Sequence, residues 1–310
     1  MISSGDNRPA VNLMKDSLHI MLTLLHQGYS EVNATRYLGW RKHQFDANKK
    51  KLTENNFLRT TKGKLRPNIM VISITEGQQM RRQLEPIAMA TVALIKAKLP
   101  LIERRYQQIP AFQNHPFQES SLLILSDVLL DNWQIKEVEK GFLKKERPLR
   151  HGKYYYAALM QKHANSPVEA LGIYGNNVTG RAGYAVCRYG NVRYTPEALQ
   201  QSELVEQAYK RYKANSIGKP FDYPVLTPTD ERALSELAGS IRPELLALLE
   251  RNRTKLRKEY ASSPYAQEVS FEEYFIWWYH VFYTAVTDRL IAEKLIILSP
   301  SQLAFYVLEE

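Results

Sequence analysis

Cysteine is almost absent from this sequence. Cys187 is the single one, so no intramolecular disulfide can form, and no CxxC motif or Cys/His cluster suggests structural zinc. The first twelve residues lack the apolar segment of a signal peptide, and no apolar run reaches the roughly 20 residues of a membrane helix. We therefore expect a cytoplasmic protein without a membrane partner, in which Cys187 is a small buried residue.

Recognisable catalytic motifs are also missing. Ser126, Asp127 and His151 are residue types used by hydrolases, but no G-x-S-x-G surrounds the serine, and nothing identifies a partner that orients the histidine. The glycines of residues 172–183 match neither a P-loop nor a dinucleotide-binding motif, so turns explain them better. The sequence therefore predicts no catalytic residue, no metal site and no cofactor, and the protein is not expected to be an enzyme.

The chain is rich in positive charge, and that charge is unevenly distributed. Residues 1–100 contain 16 Lys and Arg against 7 Asp and Glu, whereas residues 101–310 contain 26 against 25. The net charges are +9 and +1, which together give the +10 of the whole chain. Arg41–Arg66 alone contains nine basic and two acidic residues. The pattern favours a phosphate-bearing partner for the N-terminal part, and a solvated basic face that aids solubility is the alternative.

Three successive helices are predicted between residues 15 and 56. Gly39 follows the second helix, at a position that suits a residue with positive φ, and Asn56 ends the third. In the third helix, Phe45 and Leu52 are seven residues apart and therefore point inward together. The apolar residues of the first two helices are Leu18, Met21, Leu22 and Leu25, followed by Val32, Ala34, Tyr37 and Leu38.

A basic hairpin should follow these helices. Strands are predicted at Phe57–Arg59 and Asn68–Ile74, with Thr61–Pro67 as the loop between them. The third helix and this loop present many hydrogen-bond donors that are not needed for a core. The candidate DNA-binding residues are Arg41, Lys42, His43, Gln44, Asn48, Lys51, Lys62, Lys64 and Arg66.

This order of elements resembles the winged helix-turn-helix of bacterial transcription regulators, of the kind found in the MarR and PadR families. The similarity covers roughly residues 15–83. It depends on the turn at Leu38–Trp40, on the inward-pointing Phe45 and Leu52, on Asn55–Leu58 after the third helix and on Ser73–Gly77 after the hairpin. It departs at Asn56, where Gly is usual, and at Lys49, where an apolar residue is expected. The resemblance implies a recognition helix, a wing, double-stranded DNA as partner and a homodimer formed by flanking helices.

A new or kinked helix is predicted from near Pro86 to residue 99, and it could be a linker, a core element or a dimer seam. The resemblance favours the dimer seam. The prolines of residues 100–116 then suggest a domain boundary. Strand-like sequence within residues 117–195, at 154–160, 170–174, 183–189 and 192–194, predicts a mixed α/β unit. Residues 196–310 show helical signals, and Ser299–Gln302 is expected to cap a last helix. The stripe of the expected dimer helix is Leu84, Ala88, Val92, Ile95 and Leu99.

A long aromatic helix from about residue 271 to 298 has the composition of a small-molecule pocket wall. For His280 within it, a histidine satisfied inside the core is the favoured interpretation. The candidate effector-binding residues are Trp277, Trp278, His280 and Tyr283. His19 and His26 lie two turns apart with no carboxylate or cysteine nearby in sequence. We expect them to be ordinary surface or edge histidines.

Together these patterns predict an α+β protein with a winged-helix domain over residues 1–100, a mixed α/β unit over 117–195 and a helical region over 196–310 packed with it. The predicted function is a sequence-specific, dimeric transcription regulator whose second part senses an effector or mediates assembly. Two alternatives are a plasmid or phage replication initiator and an enzyme with an accessory DNA-binding domain. The first alternative predicts a second basic winged domain, which the net charge of +1 after residue 100 does not favour.

Overall fold

The computed structural model describes residues 2–3, 9–145, 149, 152–153, 155–162, 170–214 and 221–310. Its architecture mixes helices and strands, in agreement with the predicted α+β class. Two compact units are interleaved along the chain. Unit 1 comprises residues 1–77, 145–161 and 252–278, and unit 2 comprises residues 78–144, 162–251 and 279–310. The sequence had instead predicted the contiguous segments 1–100, 117–195 and 196–310.

Helices and strands alternate in groups along the described residues. The helices are α1 (Leu18–His26), α2 (Glu31–Tyr37), α3 (Lys42–Glu54), α4 (Ile74–Tyr106), α5 (Phe117–Leu122), α6 (Ile135–Leu143), α7 (Pro196–Ala214), α8 (Pro228–Gly239), α9 (Arg242–Arg251), α10 (Arg253–Ser262) and α11 (Phe271–Ala292). The strands are β1 (Ile2–Ser3), β2 (Leu58–Thr61), β3 (Lys64–Pro67), β4 (Met70–Ile72), β5 (Tyr155–Tyr156), β6 (Ala158–Met160), β7 (Asn176–Arg181), β8 (Tyr184–Tyr189), β9 (Val225–Leu226) and β10 (Ala304–Glu309).

In unit 1, α1, α2 and α3 close over one apolar core. Phe45 and Leu52 of α3 are buried with the α1 stripe, and Ala34 is the α2 residue buried there. Gly39 and Asn56 have φ values of +66° and +57°, which confirms the predicted left-handed positions. The other predicted core residues of α2 behave differently from Ala34. Val32 and Tyr37 are 66% and 67% exposed, and Leu38 is half-buried.

The loop of the hairpin is shorter than the sequence predicts. β2 pairs antiparallel with β3, and Lys62 and Gly63 form the turn with φ values of +50° and +73°. A two-residue turn with both φ values positive matches the twist of the flanking strands, so the chain reverses before the expected loop is complete. The predicted second strand at Asn68–Ile74 is wrong as a hairpin strand, because β4 pairs parallel with β6.

The remaining strands of unit 1 come from a distant part of the sequence. β5 pairs antiparallel with β1, and Tyr155 and Ala157 join the α1–α3 core. The sequence had assigned residues 154–160 to the 117–195 unit. Their pairing with β1 and β4 places the described part of this segment, residues 155–160, in unit 1 instead.

α4 shows that the predicted helix break at Pro86 and the boundary near Pro100 are wrong, because one helix runs through both prolines. Both proline rings are exposed, so water can hydrate the carbonyl groups that lose their helical N–H partner. The apolar stripe packs as core, one of the interpretations open for it, rather than as the preferred dimer seam. Leu84, Ala88, Val92 and Ile95 are at most 2% exposed, and Leu99 is half-buried.

Unit 2 contains a four-stranded sheet in the order β7, β8, β10, β9. β8 pairs antiparallel with both β7 and β10, and β9 pairs parallel with β10. β8 confirms the strand predicted at 183–189, but no strand forms at 170–174 or 192–194. The helix predicted after Ser299–Gln302 is also wrong, since β10 occupies the end of the chain. Val307 of β10 is fully buried against the α7 residues Ala198 and Val205.

Candidate nucleic-acid interface

The first turn of α3 is stabilised by one of its own candidate contact residues. Gln44 accepts a hydrogen bond of 2.7 Å from the backbone N–H of Arg41, which would otherwise lack a helical partner. Arg41, Lys42, His43 and Gln44 are exposed, and the Lys42 side chain is 92% exposed. Because Phe45 turns into the core beneath them, the start of α3 presents its polar side chains to solvent.

Farther along α3, the candidate residues are closer to the body of unit 1. Asn48 and Lys51 are half-buried, and Lys51 lies 3.8 Å from Asp16. Lys49, which stands where the resemblance expects an apolar residue, pairs with Glu31 of α2 at 2.9 Å. The ammonium group therefore joins α3 to α2 at the rim of the core. A lysine is accommodated at this position because Glu31 supplies the complementary charge.

The hairpin carries lysines at its tip and arginines at its base. Lys62 occupies the turn and Lys64 begins β3, and both are exposed. Nearer the core, Arg59 and Arg66 are cross-strand partners. Like charges directly opposite one another destabilise a strand pair, so these two guanidinium groups need separate acceptors.

The structure provides those acceptors as backbone carbonyl groups. Arg66 donates to the carbonyl of Leu25 at 3.2 Å, in the last turn of α1, where a cation complements the helix dipole. Arg59 donates to the carbonyl of Glu268 at 3.4 Å, and the Thr61 hydroxyl donates to the carbonyl of Gln267 at 3.0 Å. Arg66 is thus partly engaged in holding the hairpin in place, whereas Lys62 and Lys64 project from it.

Charge follows the two compact units. Counted over the full sequence, unit 1 contains 20 Lys and Arg against 11 Asp and Glu, a net charge of +9. Unit 2 contains 22 against 21, a net charge of +1. The excess therefore remains with α3 and the hairpin even though unit 1 gathers residues from three parts of the chain.

Sequence reasoning missed a buried ionic cluster in unit 1, because His26 was expected at the surface. His26 is 8% exposed, and its Nδ1 lies 2.9 Å from both carboxylate oxygens of Glu268, while its Nε2 lies 2.9 Å from Glu76. Burial alone would lower the pKa of His26, but the hydrogen bonds and charges of the two glutamates outweigh it and raise the pKa to about 9. His26 is therefore protonated at neutral pH.

This cluster connects α1, the start of α4 and the residues that precede α11. Glu76 also accepts from the backbone and hydroxyl groups of Ser73, where α4 begins, and the Tyr265 ring stacks on His26 at 5.7 Å. Tyr265 in turn donates to the carbonyl of Val71 at 3.2 Å. The hairpin and α1 are consequently held by a segment about 200 residues later in the chain.

The candidate effector-binding residues are all buried. Trp277, Trp278, His280 and Tyr283 are 2%, 1%, 5% and 0% exposed. The first two belong to unit 1 and the last two to unit 2. Their burial fits the core interpretation, and an effector site on α11 stays a prediction.

Two of the three residues considered for a hydrolase lie in the packed interior of unit 2. Ser126 and Asp127 lie fully buried in a π-helical stretch, Leu123–Val128. The Ser126 hydroxyl bonds to those of Tyr189 and Thr287 at 2.7 and 2.6 Å, and Asp127 accepts from Tyr306 at 3.0 Å. His151 lies outside the described residues.

Within the residues described, no group of three or more His, Cys, Asp and Glu side chains is placed to hold a metal ion. The helices in that same part of the chain include none with the length and apolar character needed to cross a membrane. No protein-family model, curated protein or solved structure matches the chain.

Proposed function

We propose that this chain is a sequence-specific, duplex-DNA-binding transcription regulator, with α3 as the recognition helix and the β2–β3 hairpin as the wing of a winged helix-turn-helix. The observation that carries the proposal is the net charge of +9 on unit 1 beside +1 on unit 2. Lysines at the start of α3 and at the hairpin tip expose part of that charge to solvent. Release of counterions from DNA by such side chains supplies affinity for any sequence.

The dimensions of α3 suit the role given to it. Its thirteen residues make a helix about 20 Å long, and the major groove of B-DNA is about 12 Å wide, enough to admit one helix. The N-terminal residues of a recognition helix commonly meet the base edges. We assign base contacts to Gln44 and Asn48, whose amide groups can pair with adenine, and phosphate contacts to Lys62 and Lys64.

The regulator is further proposed to act as a homodimer, with unit 2 serving for effector sensing or assembly. Because the apolar stripe of α4 is buried within the chain, the dimer surface must lie elsewhere. The near-neutral charge of unit 2 favours this function over a replication initiator with two basic winged domains. Sedimentation of the full chain with and without DNA tests the dimer directly.

DNA titrations of the full chain test the assignment of roles. The full chain is required because residues 1–100 alone lack Tyr155, Ala157 and Glu268 of unit 1. A preferred site is first selected from a random duplex library, and each variant is then titrated on that site and on an unrelated duplex. Lys64→Ala should weaken binding to both duplexes alike and reduce the salt slope by about 1, because it removes a phosphate contact.

Asn48→Ala should instead cost about 1–3 kcal/mol on the selected site and little on the unrelated one. Gln44→Ala would change both base contact and helix stability, because loss of its hydrogen bond to the Arg41 backbone should also destabilise α3 by about 0.5–2 kcal/mol. Lys136→Ala, an exposed lysine of unit 2, is the matched control and should change neither titration. Equal losses on both duplexes for Lys64 and Asn48 variants would remove the recognition-helix assignment.

A further inference from the structure

α10 is a further basic element of unit 1, in addition to α3 and the hairpin. Its first six residues include Arg253, Lys255, Arg257 and Lys258. Leu256 is the one residue of α10 that is fully buried, and Lys255, Arg257 and Lys258 are exposed, with Lys258 on the side opposite Leu256. The helix therefore presents a basic surface to solvent.

The placement of these charges is unfavourable for the isolated helix. The first turn has no acidic residue to complement the positive end of the helix dipole, and it carries Arg253 and Lys255. Arg253 and Arg257 are four residues apart, a spacing at which like charges repel. The negative charge within α10 is that of Glu259, 3.8 Å from Lys255, and burial raises the pKa of this carboxyl. Phosphate groups beside this surface would place negative charge near the positive end of the α10 dipole.

The same segment of chain connects α10 to the hairpin. Tyr260, in the last turn of α10, donates to the carbonyl of Val269 at 2.7 Å. The Thr61 hydroxyl of β2 donates to the carbonyl of Gln267, two residues earlier. Arg257 lies over the Phe271 ring at 4.1 Å, which fixes its guanidinium near the start of α11. These bonds hold α10 and the proposed wing on one framework within unit 1.

We propose that α10 is a third DNA-backbone-binding element, in which Lys255 and Lys258 contact phosphates flanking those reached by the wing. This inference depends on the proposed function and extends it, since it predicts a longer footprint than α3 and the hairpin give alone. The occupant is the phosphate backbone of the same duplex, which the positive surface of α10 complements. Contacts of this kind add affinity for all sequences without adding base discrimination.

The test compares two double substitutions of equal charge change in the full chain. Lys255→Gln/Lys258→Gln neutralises α10, and Lys136→Gln/Lys140→Gln neutralises two exposed lysines of α6 in unit 2. Affinity for a fluorescent duplex is measured across a salt series, and circular dichroism checks that each variant is folded. Lys258→Gln alone is the second variant, because Lys258 projects away from Leu256.

Each phosphate contact contributes a salt slope of about 0.9, which corresponds to roughly fivefold in affinity at 0.15 M salt. The α10 double variant should therefore bind about 30-fold more weakly and with a slope reduced by about 1.8, and Lys258→Gln should bind about fivefold more weakly. The α6 variant should remain within twofold of the unsubstituted chain.

Two results would overturn the inference while leaving the proposed function intact. In one, the α10 variants bind as tightly as the unsubstituted chain. In the other, the α6 variant loses as much affinity as the α10 double variant, which would make net charge alone the cause. Absence of any duplex binding by the unsubstituted chain at low salt would overturn the proposed function and this inference together.

Discussion

His26 offers the sharpest test of how unit 1 is held together. Its imidazolium lies between Glu268, whose side chain is 1% exposed, and Glu76, whose side chain is 25% exposed. His26→Gln removes the cation but keeps a side chain whose amide group can still donate hydrogen bonds. Both carboxylates then lack their charged partner, and loss of one member of a buried ion pair typically costs about 3–5 kcal/mol. We expect a destabilisation of that size at pH 7.

The unsubstituted protein should also show the cluster in its pH dependence. The folded-state pKa of about 9 lies above the ordinary 6.5 of histidine, so protonation of His26 contributes stability. That contribution is fully present below pH 6.5 and is lost as the pH rises through 9. At about 1.4 kcal/mol for each pH unit, the free energy of unfolding should fall by about 3 kcal/mol across this window.

Urea denaturation between pH 6 and 9.5 measures the fall, and NMR titration of the imidazole signals measures the pKa itself. His19→Gln is the matched control, because His19 lies on the same helix, is half-buried and bonds to the carbonyl of Leu13. The fall in stability between pH 6.5 and 9 should persist in this variant, because His26 and its two glutamates are unchanged. His26→Gln/Glu268→Gln should recover part of the lost stability, since it also removes the more deeply buried carboxylate. A flat profile for the unsubstituted protein, or a fully stable His26→Gln variant, would refute the reasoning.

Two further predictions concern buried side chains in the π-helical stretch and in α11. Burial raises the pKa of Asp127 well above its ordinary value, so the folded state disfavours ionisation and loses stability as pH rises above about 4. Asp127→Asn should remove this dependence and make the protein more stable than the original at pH 8 by chemical denaturation; a variant less stable at both pH 5 and pH 8 would contradict it. Trp278 stacks on Phe275 at 5.9 Å, and Trp278→Ala should cost about 3–5 kcal/mol in thermal or chemical unfolding if it is core. Near-original stability with an altered response of DNA binding to a small molecule would instead indicate an effector cavity.

Features that depend on neighbours along the chain could be predicted from the amino-acid sequence. The stripe of α1, the positive φ at Gly39 and the pairing of Phe45 with Leu52 each involve residues within two helical turns of each other. Capping signals were equally local. Thr227 precedes Pro228, a pattern typical of a helix start, and it accepts from the backbone N–H of Asp230 at 3.3 Å at the start of α8. The excess of positive charge in the N-terminal part also follows from residue counts alone.

Features whose partners lie far apart in sequence depend on the tertiary fold instead. His26 looked like a surface residue because its partner Glu268 is 242 positions away. The segment Ala304–Glu309 is too short for its sequence to predict a strand. It forms β10 because β8 and β9 provide hydrogen-bonding edges on its two sides. The prolines of α4 are tolerated because their rings face solvent. Burial and long-range pairing set ionisation, strand identity and helix ends at these positions, and no local pattern of residue types carries that information.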